Sequence, residues 1–565
     1  MMGRMAASGG PIEVEWQFNA VDVRPVARWL DNATVEGFTM ARTGIRRLND
    51  AYFDTDNWRL HRSGYTCRLR WEGSKGELTL KAMADAVDGI RRREEINQPV
   101  ADPSPLKFLV EPGVATAILA PLIGTRPLRL LFVLETERQL YSLHDDAGVL
   151  GEIALDTTTI PVGNEDHPVR MSRIEVEIDG QAEARARRFV DILAASTALS
   201  RAGASKFEAA LLATGQQPDE AVPDLGPTDI YDSMSASELA FAVMRRNFAA
   251  LLQNEPGTRL GRDPEALHDM RVATRRIRAA TSTFRAYLSP TALGARDEIG
   301  WLTRILGPVR DLDVQIERLE ARMAQPDVGD EGLNPYLDLL QTRREAARKR
   351  MLAALDSRRY ERAVGRWVAI LQRGPARTFL PGRTPAVAAA TELVGKRYRR
   401  LRKRADGIAK DSPAEEYHAS RIEAKKLRYA AEFVAPLYGG RAEGFIAAVK
   451  GLQDVLGDHQ DAAVAMETLR AEGGNRRLPA STLLAMGALI EHYRIDAARL
   501  RGEFPAAYRR VRGKTWRGFA KRMKSRAARA DPPVAPARAP VRAQQVGAAR
   551  PDGGAVRIDR PPASS

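Results

Sequence analysis

The chain has a single cysteine, Cys67, among 565 residues. It therefore forms no intramolecular disulfide, which fits a reducing cytoplasm. No stretch approaches the roughly 18 apolar residues of a membrane span. Leu128 to Leu134 is apolar but short, and Arg129 interrupts it. Met1 to Gly10 shows no apolar core of a secretion signal, so the expected location is cytoplasmic, with no membrane partner. Negative charge is in short supply: 72 acidic side chains face 87 Lys and Arg, a net charge of +15. That excess points to an anionic partner. The hydrophobic fraction of 44%, at this length, supports two or more domains with real cores.

What is present is a basic helical segment that occurs twice. His268-Asp269-Met270-Arg271-Val272-Ala273-Thr274-Arg275-Arg276-Ile277-Arg278 is matched by His418-Ala419-Ser420-Arg421-Ile422-Glu423-Ala424-Lys425-Lys426-Leu427-Arg428, 150 residues later. Leu306-Gly307-Pro308-Val309-Arg310-Asp311 and Leu456-Gly457-Asp458-His459-Gln460-Asp461 keep the same offset, as do Val314 and Val464. Two motifs at one offset predict a tandem helical repeat. At about 100° per residue, His268, Arg271, Arg275 and Arg278 fall within roughly an 80° stripe, and Met270, Ala273, Ile277, Ala280 and Phe284 form a separate apolar one. A pseudo-twofold that brings the two cationic stripes together makes a groove whose like charges repel unless a polyanion fills it. The stripes contain almost no interleaved aromatics for base stacking, so no specific nucleic acid is expected.

Residues 11 to about 215 read as strands with some helix. Ile12, Val14, Trp16 and Phe18 alternate with Glu13, Glu15 and Gln17, the period of a strand. Later strands set Arg68 and Arg70, Lys81, Arg93 and Glu95, Arg138, and Glu175 and Glu177 on single faces. A closed antiparallel barrel with those faces inward holds cations and paired carboxylates in one tunnel. Arg and Lys clamp phosphate oxygens, and carboxylates two apart suit a hard divalent cation, Mg²⁺ or Mn²⁺.

Ile12 to Phe18, Tyr52-Phe53-Asp54-Thr55, Arg68-Leu69-Arg70, Leu78-Thr79-Leu80-Lys81, Arg93-Glu94-Glu95 and Glu175-Val176-Glu177 resemble, in order, the motifs of the CYTH family of triphosphate tunnel enzymes. The resemblance implies a tunnel barrel and metal-dependent triphosphate hydrolysis. It places metal-side carboxylates at Glu13, Glu15, Glu95, Glu175 and Glu177, phosphate-binding cations at Arg68, Arg70, Lys81, Arg93 and Arg138, and catalysis on Glu13, Glu15 and Lys81. Ser205-Lys206 matches a downstream Ser-Lys. The family opens with E-x-E-x-K, and the third position here is Gln17.

Residues 216–230 are rich in Pro, Gly and Asp and read as a linker. Helical periodicity then runs from Tyr231 to about Lys524. Ser235 and Glu238 form a capping box for a helix to Gln253, 298–322 contains an interruption at its Leu-Gly, and separate helices span 481–500 and 505–524. This region resembles the CHAD family, which implies a basic, polyphosphate-binding surface. Its cations fall on His268, Arg271, Arg275, Arg276, Arg278 and Arg310, and on His418, Arg421, Lys425, Lys426 and Arg428. Asp311, Asp313, Asp458 and Asp461 are expected to orient the cations.

The expected architecture is α+β followed by all-α. An antiparallel triphosphate-tunnel β-barrel with helices (11–215) precedes a two-lobed helical bundle with an internal repeat (231–525, halves about 231–380 and 381–525). Residues 1–10 and 526–565 are expected to be disordered. The functional expectation is a Mg²⁺- or Mn²⁺-dependent inorganic triphosphatase coupled to a polyphosphate-binding module. The alternative is a polyphosphate-granule binding protein with a weak or inactive barrel, on account of Gln17.

Overall fold

The computed structural model describes residues 12–529, apart from 74, 85, 88, 102–110, 162–167, 179, 219, 221, 326–331 and 475–476. The expected disordered ends lie outside the described residues, except that the last helix carries order to Ala527.

Eight strands form the first body: β1 (Ile12–Ala20), β2 (Phe38–Thr55), β3 (Tyr65–Glu72), β4 (Lys75–Ala82), β5 (Ile90–Val100), β6 (Leu128–Asp145), β7 (Gly148–Ile160) and β8 (Val169–Ile178). They run in the order β5-β4-β3-β2-β6-β7-β8-β1, and β1 also pairs with β5, so the antiparallel sheet closes into a ring. A two-residue β9 (Ser200–Arg201) pairs with the end of β1. Among the described residues five α-helices accompany the ring: α1 (Arg24–Asn32), α2 (Arg59–Arg62), α3 (Val114–Ile123), α4 (Glu183–Thr197) and α5 (Lys206–Ala213).

The strand alternation puts apolar side chains outside and charge inside. Val14, Trp16 and Phe18 pack outward with Leu30 of α1 and Phe189 of α4. Ile12, expected on that face, sits at the strand end and is 67% exposed. Leu69, Leu78 and Leu80 pack against Leu119 and Leu122 of α3. Phe207 and Leu211 of α5 pack on Tyr52 and Phe132. With its apolar faces covered by helices, the ring can keep a polar lumen.

The second body is helical: α6 (Ala236–Leu260), α7 (Pro264–Thr283), α8 (Pro290–Leu293), α9 (Arg296–Met323), α10 (Asn334–Leu355), α11 (Arg358–Arg373), α12 (Ala386–Ala405), α13 (Ala414–Val434), α14 (Gly440–Glu472), α15 (Ala480–Arg512) and α16 (Lys514–Ala527). The series α6, α7, α9, α10, α11 recurs as α12 to α16. A pseudo-twofold axis is visible in the backbone: Ala236 N–H donates to Thr384 O (2.7 Å) and Ala386 N–H donates to Met234 O (2.9 Å). Each of these bonds maps onto the other at the 150-residue offset.

Several boundaries differ from the sequence expectation. The capping box of Ser235 and Glu238 forms, but α6 continues through Pro256 to Leu260. α9 passes through Gly307-Pro308 without interruption. α15 passes through Pro505 to Arg512, so 481–500 and 505–512 are one helix, and the break falls at Gly513. An interior proline costs about 3 kcal/mol. Here Phe504, Tyr508 and Val511, buried in the main core, hold the turns on either side of it.

The described part of the connector at 216–230 packs on its neighbours. Leu225 is buried in the helical core, and Arg245 of α6 donates to Pro227 O at 3.0 Å. Charged contacts seat the ring on the helices. Asp356 receives Arg59 of α2 at 2.9 Å and Arg259 of α6 at 2.7 Å. Arg262 binds Glu94 of β5 at 2.7 Å. Gly124, at φ +59°, lies so close that a Cβ there would meet the Asp356 carboxylate at 2.2 Å.

Candidate functional sites

The lumen of the ring is a cavity of about 420 Å³. Seven cations line it: Arg68, Arg70, Lys81, Arg91, Arg93, Arg138 and Lys206, with Glu13, Glu95, Glu175 and Glu177 among its carboxylates. Strand register explains the arrangement. Residues directly opposite on antiparallel strands share a face. Arg70 lies opposite Asp50, Arg138 opposite Asp156, Lys81 opposite Glu95, and Arg93 opposite Glu13.

Several of these cations are therefore gripped by carboxylates. Arg70 grips Asp50 through Nε and Nη2 at 2.7 and 2.8 Å. Arg138 grips Asp156 at 2.8 and 2.7 Å and reaches Glu175 at 2.7 Å. Lys81 Nζ sits between Glu13 and Glu95, 2.9 Å from the latter. Lys206, at the start of α5, binds Asp156, and Glu175 at 3.0 Å. Two-pronged contacts of this kind fix the plane of a guanidinium and leave its other edge for an oxyanion.

Burial and charge pull the acids apart. Burial works to raise Asp50, but Arg68 and Arg70 override it and hold the carboxyl at about 2. Glu175 is likewise kept well below the usual range, against burial, by Lys206 and Arg138. Glu177 goes the other way: burial and then the neighbouring Glu13 push it up to about 7.

Most of the expected tunnel residues meet in this one cavity: Arg68, Arg70, Lys81, Arg93, Arg138, Glu13, Glu95, Glu175 and Glu177. Glu15 does not line it. It is 2% exposed and lies behind the wall, bound by Arg93 and by Gln17, because β5 brings Arg93 across its inward face. Gln17 Nε2 donates to Glu15 at 3.0 Å and to Glu175 at 3.2 Å, while its Oε1 is buried without a partner among the described residues. Asp50, Asp156 and Arg91 were not anticipated. Arg91 is buried and donates to Ala84 O and Gly203 O at 2.6 and 2.5 Å.

Among the described residues, no three His, Cys, Asp or Glu side chains converge at metal-ligating spacing. The donor chemistry nevertheless fits a hard divalent cation: Glu13, Glu95 and Glu177 are mutually close enough to perturb one another, and Glu177 has no ion-pair partner among the described residues. Lys81 occupies the space between Glu13 and Glu95.

A second cavity, about 470 Å³, lies between the helical lobes. α7 contributes His268, Arg271 and Arg275, and α13 contributes His418, Arg421 and Lys425. The two cationic stripes therefore do meet, and Arg310 joins them from α9. The glycine of each Leu-Gly motif sits beneath an arginine. A Cβ on Gly307 would touch the Arg271 guanidinium at 3.7 Å, and one on Gly457 would touch Arg421 at 3.8 Å. Arg271 also donates to Gly307 O (2.7 Å) and Asp311 (2.8 Å). His418 Nδ1 meets Gln460 Oε1 at 2.8 Å. With that oxygen as acceptor, Nδ1 carries the proton.

Arg275, Arg421 and Lys425 have no ion-pair partner among the described residues. Burial and then Arg275 and Arg421 lower Lys425 to about 8. His268 is lowered by burial and by Arg310. Four expected cations are not in this cavity. Arg276 binds Glu432 at 2.6 Å and lies over Tyr429 and Phe433. Arg428 reaches the same Glu432 at 3.6 Å, and Lys426 pairs with Glu423 at 2.6 Å. Arg278 lies one turn past the mouth on α7. Of the acids, Asp311, Asp313 and Asp461 orient Arg271, Arg344 and Arg318. Asp458 makes no ion pair among the described residues and is raised by burial and by Asp461.

Comparison with known proteins gives consistent assignments. A CYTH domain model matches residues 23–211 and a CHAD domain model matches residues 242–470. An uncharacterized protein of Mycobacterium tuberculosis (strain H37Rv) is 25% identical over 532 residues, 88% of this chain and 96% of that protein. The CHAD domain of the plant Ricinus communis is 28% identical with a TM-score of 0.43, over 50% of this chain and 94% of that one. A Hippeastrum protein assigned as an adenylyl cyclase, and described as having a dominant triphosphatase activity, is 16% identical with a TM-score of 0.26, over 36% of this chain and 97% of that one. The chain thus joins an N-terminal CYTH domain to a C-terminal CHAD domain.

Proposed function

We propose that the ring hydrolyses inorganic triphosphate or a related triphosphate, and that the interlobe groove binds polyphosphate. One observation carries the reading: Arg70 and Arg138, each held in a two-pronged grip by a buried carboxylate, line the lumen beside Arg68, Lys81 and Arg93, a set suited to clamping phosphate oxygens. Phosphoryl transfer needs positioning and charge stabilisation more than a nucleophilic side chain. Arg68, Arg70 and Arg138 bind and orient the phosphate chain. Lys81 and Arg93 offset charge that develops on it. Glu13, Glu95 and Glu177 would hold Mg²⁺ or Mn²⁺, which supplies further positive charge and an activated water. The test is phosphate release from inorganic triphosphate with either ion. Turnover supports the reading.

Gln17 favours a second reading. It brings no charge to the place where the family motif has a lysine, so the ring could be a weak or inactive companion to a domain that docks on cytoplasmic polyphosphate granules. Gln17→Lys puts an ammonium between Glu15 and Glu175. If the wild-type chain releases no phosphate and Gln17→Lys does, the binding reading replaces the first. If the wild type turns over, Gln17→Lys should change its rate by less than about tenfold, since Lys206 already serves Glu175.

The groove carries a pH prediction. Lys425 loses its proton near pH 8 in the free protein, and a bound polyanion favours the charged form. Binding should take up a proton near pH 8, and affinity should be full below pH 8 and fall as pH rises through it. Calorimetry in two buffers of different ionisation enthalpy measures the uptake. The same heat in both at pH 8 would exclude Lys425 from the site. No helix among the described residues is long and apolar enough to cross a membrane.

A further inference from the structure

The interlobe cavity is more apolar than a bare phosphate chain requires. Part of its wall follows the pseudo-twofold axis. Beyond the cation pairs, Val314 and its repeat partner Val464 both line it, as do Leu319 and its partner Leu469. Tyr336 and Leu340 of α10 and Leu489 and Tyr493 of α15 also line it, without being repeat partners of one another. These apolar side chains form one layer, in which Leu319, Leu469, Tyr336, Leu340 and Leu489 pack into a core cluster and are at most 4% exposed. The apolar face open to the cavity is therefore that of Val314, Val464 and Tyr493. Arg310 and Asp311 of α9 stand level with the cations, because Asp311 binds Arg271. Val314 is one turn further along α9 and Leu319 two, so the apolar layer lies roughly 6–12 Å from the phosphate-facing charges. Arg318 and Asp461 bridge the lobes beside it at 2.6 Å.

Water-facing apolar surface is unfavourable, and a concave apolar layer rimmed by convergent charges is the usual make-up of a small-ligand site. An inorganic chain has nothing to place there. The half-buried Tyr493 and the short reach of the open face suit a flat aromatic ring better than a long acyl chain. We propose that this cavity takes a nucleoside polyphosphate, with its phosphates on Arg271, Arg275, Arg421 and Lys425 and its base against Val314, Val464 and Tyr493. The proposal rests on the reading that the groove binds polyphosphate and narrows its ligand class.

The experiment displaces fluorescently labelled long-chain polyphosphate from the full chain, in chelator so that no hydrolysis occurs. The competitors are adenosine tetraphosphate and inorganic tetraphosphate, which carry the same number of phosphates. The nucleotide is expected to displace the label at a concentration at least tenfold lower, about 1.4 kcal/mol. Val464 is 45% exposed and Val314 is half-buried, so Val314→Asn with Val464→Asn should leave the fold intact. That double variant should shrink the gap to under threefold and leave inorganic tetraphosphate unchanged. Equal potency in the wild type, or a gap that survives the double variant, overturns the proposal while polyphosphate binding stands. Failure of the labelled chain to bind at all overturns both.

Discussion

Arg138→Ala is expected to slow triphosphate hydrolysis by at least a hundredfold and to lower the denaturant midpoint of the ring. The two effects share one cause. Asp156 is wholly buried, and Arg138 gives it two hydrogen bonds and Glu175 a third. Removing the guanidinium leaves Lys206 as the remaining ion-pair partner of both carboxylates among the described residues, with Gln17 still donating to Glu175. Breaking a buried pair on one side costs about 3–5 kcal/mol, and losing one charge-stabilising donor costs a rate factor of roughly 10²–10³. Arg138→Lys separates the terms, because it keeps a charge but forfeits the two-pronged grip. It should recover most of the stability and little of the rate. Urea unfolding and phosphate release on the three chains decide the matter, and an unchanged midpoint in Arg138→Ala would mean that the ring does not depend on this pair. The same logic fixes the acid limb. Asp50 is held at about 2 against an ordinary 3.8. The stability it contributes is therefore complete above pH 4 and is lost as pH falls toward 2.

How much of this was legible in the sequence depended on the distance over which each feature is encoded. The inward face of β1 could be read because a strand repeats every two residues, and Glu13 and Gln17 follow that period into the lumen. The paired stripes could be read because both lobes carry the same register of His and Arg at one offset. Asp50 and Asp156 could not. Each is defined by the residue opposite on another strand, and that pairing exists only once the sheet closes. Glu15 has the right period but the wrong neighbour: Arg93 covers it. On α7 the angular stripe was right and its length was not. Arg278 shares the angle of Arg271, but the cavity ends a turn earlier. Pro308 and Pro505 misled because a proline marks a break only where nothing holds the flanking turns. Leu306 and Val309 beside one, and Phe504 and Tyr508 beside the other, are buried.

Replacing Arg271 and Arg421 together by alanine should weaken polyphosphate binding by roughly 10²-fold or more, since each charged hydrogen bond contributes about 1.5–3 kcal/mol. The logarithmic salt dependence should become shallower by roughly one to two units, because two fewer phosphate charges are neutralised and fewer counterions are released. Arg278→Ala with Arg428→Ala is the control that the sequence alone would not have supplied. Both lie on the same helices with the same charge but outside the cavity, so affinity and slope should stay within twofold of the wild type. Equal losses in the two double variants would reduce the groove to a diffuse field of net charge. Stability should run opposite to affinity. Arg421 has no ion-pair partner among the described residues and stands beside Lys425 and Arg275, so like-charge repulsion strains the empty groove. Arg421→Ala alone should therefore unfold no earlier than the wild type without ligand. It should also let the Lys425 ammonium recover from about 8 toward its ordinary 10.5, a shift that NMR titration of the lysine side chain can follow. A cluster that costs stability when empty and gives up affinity when thinned is built around an anion.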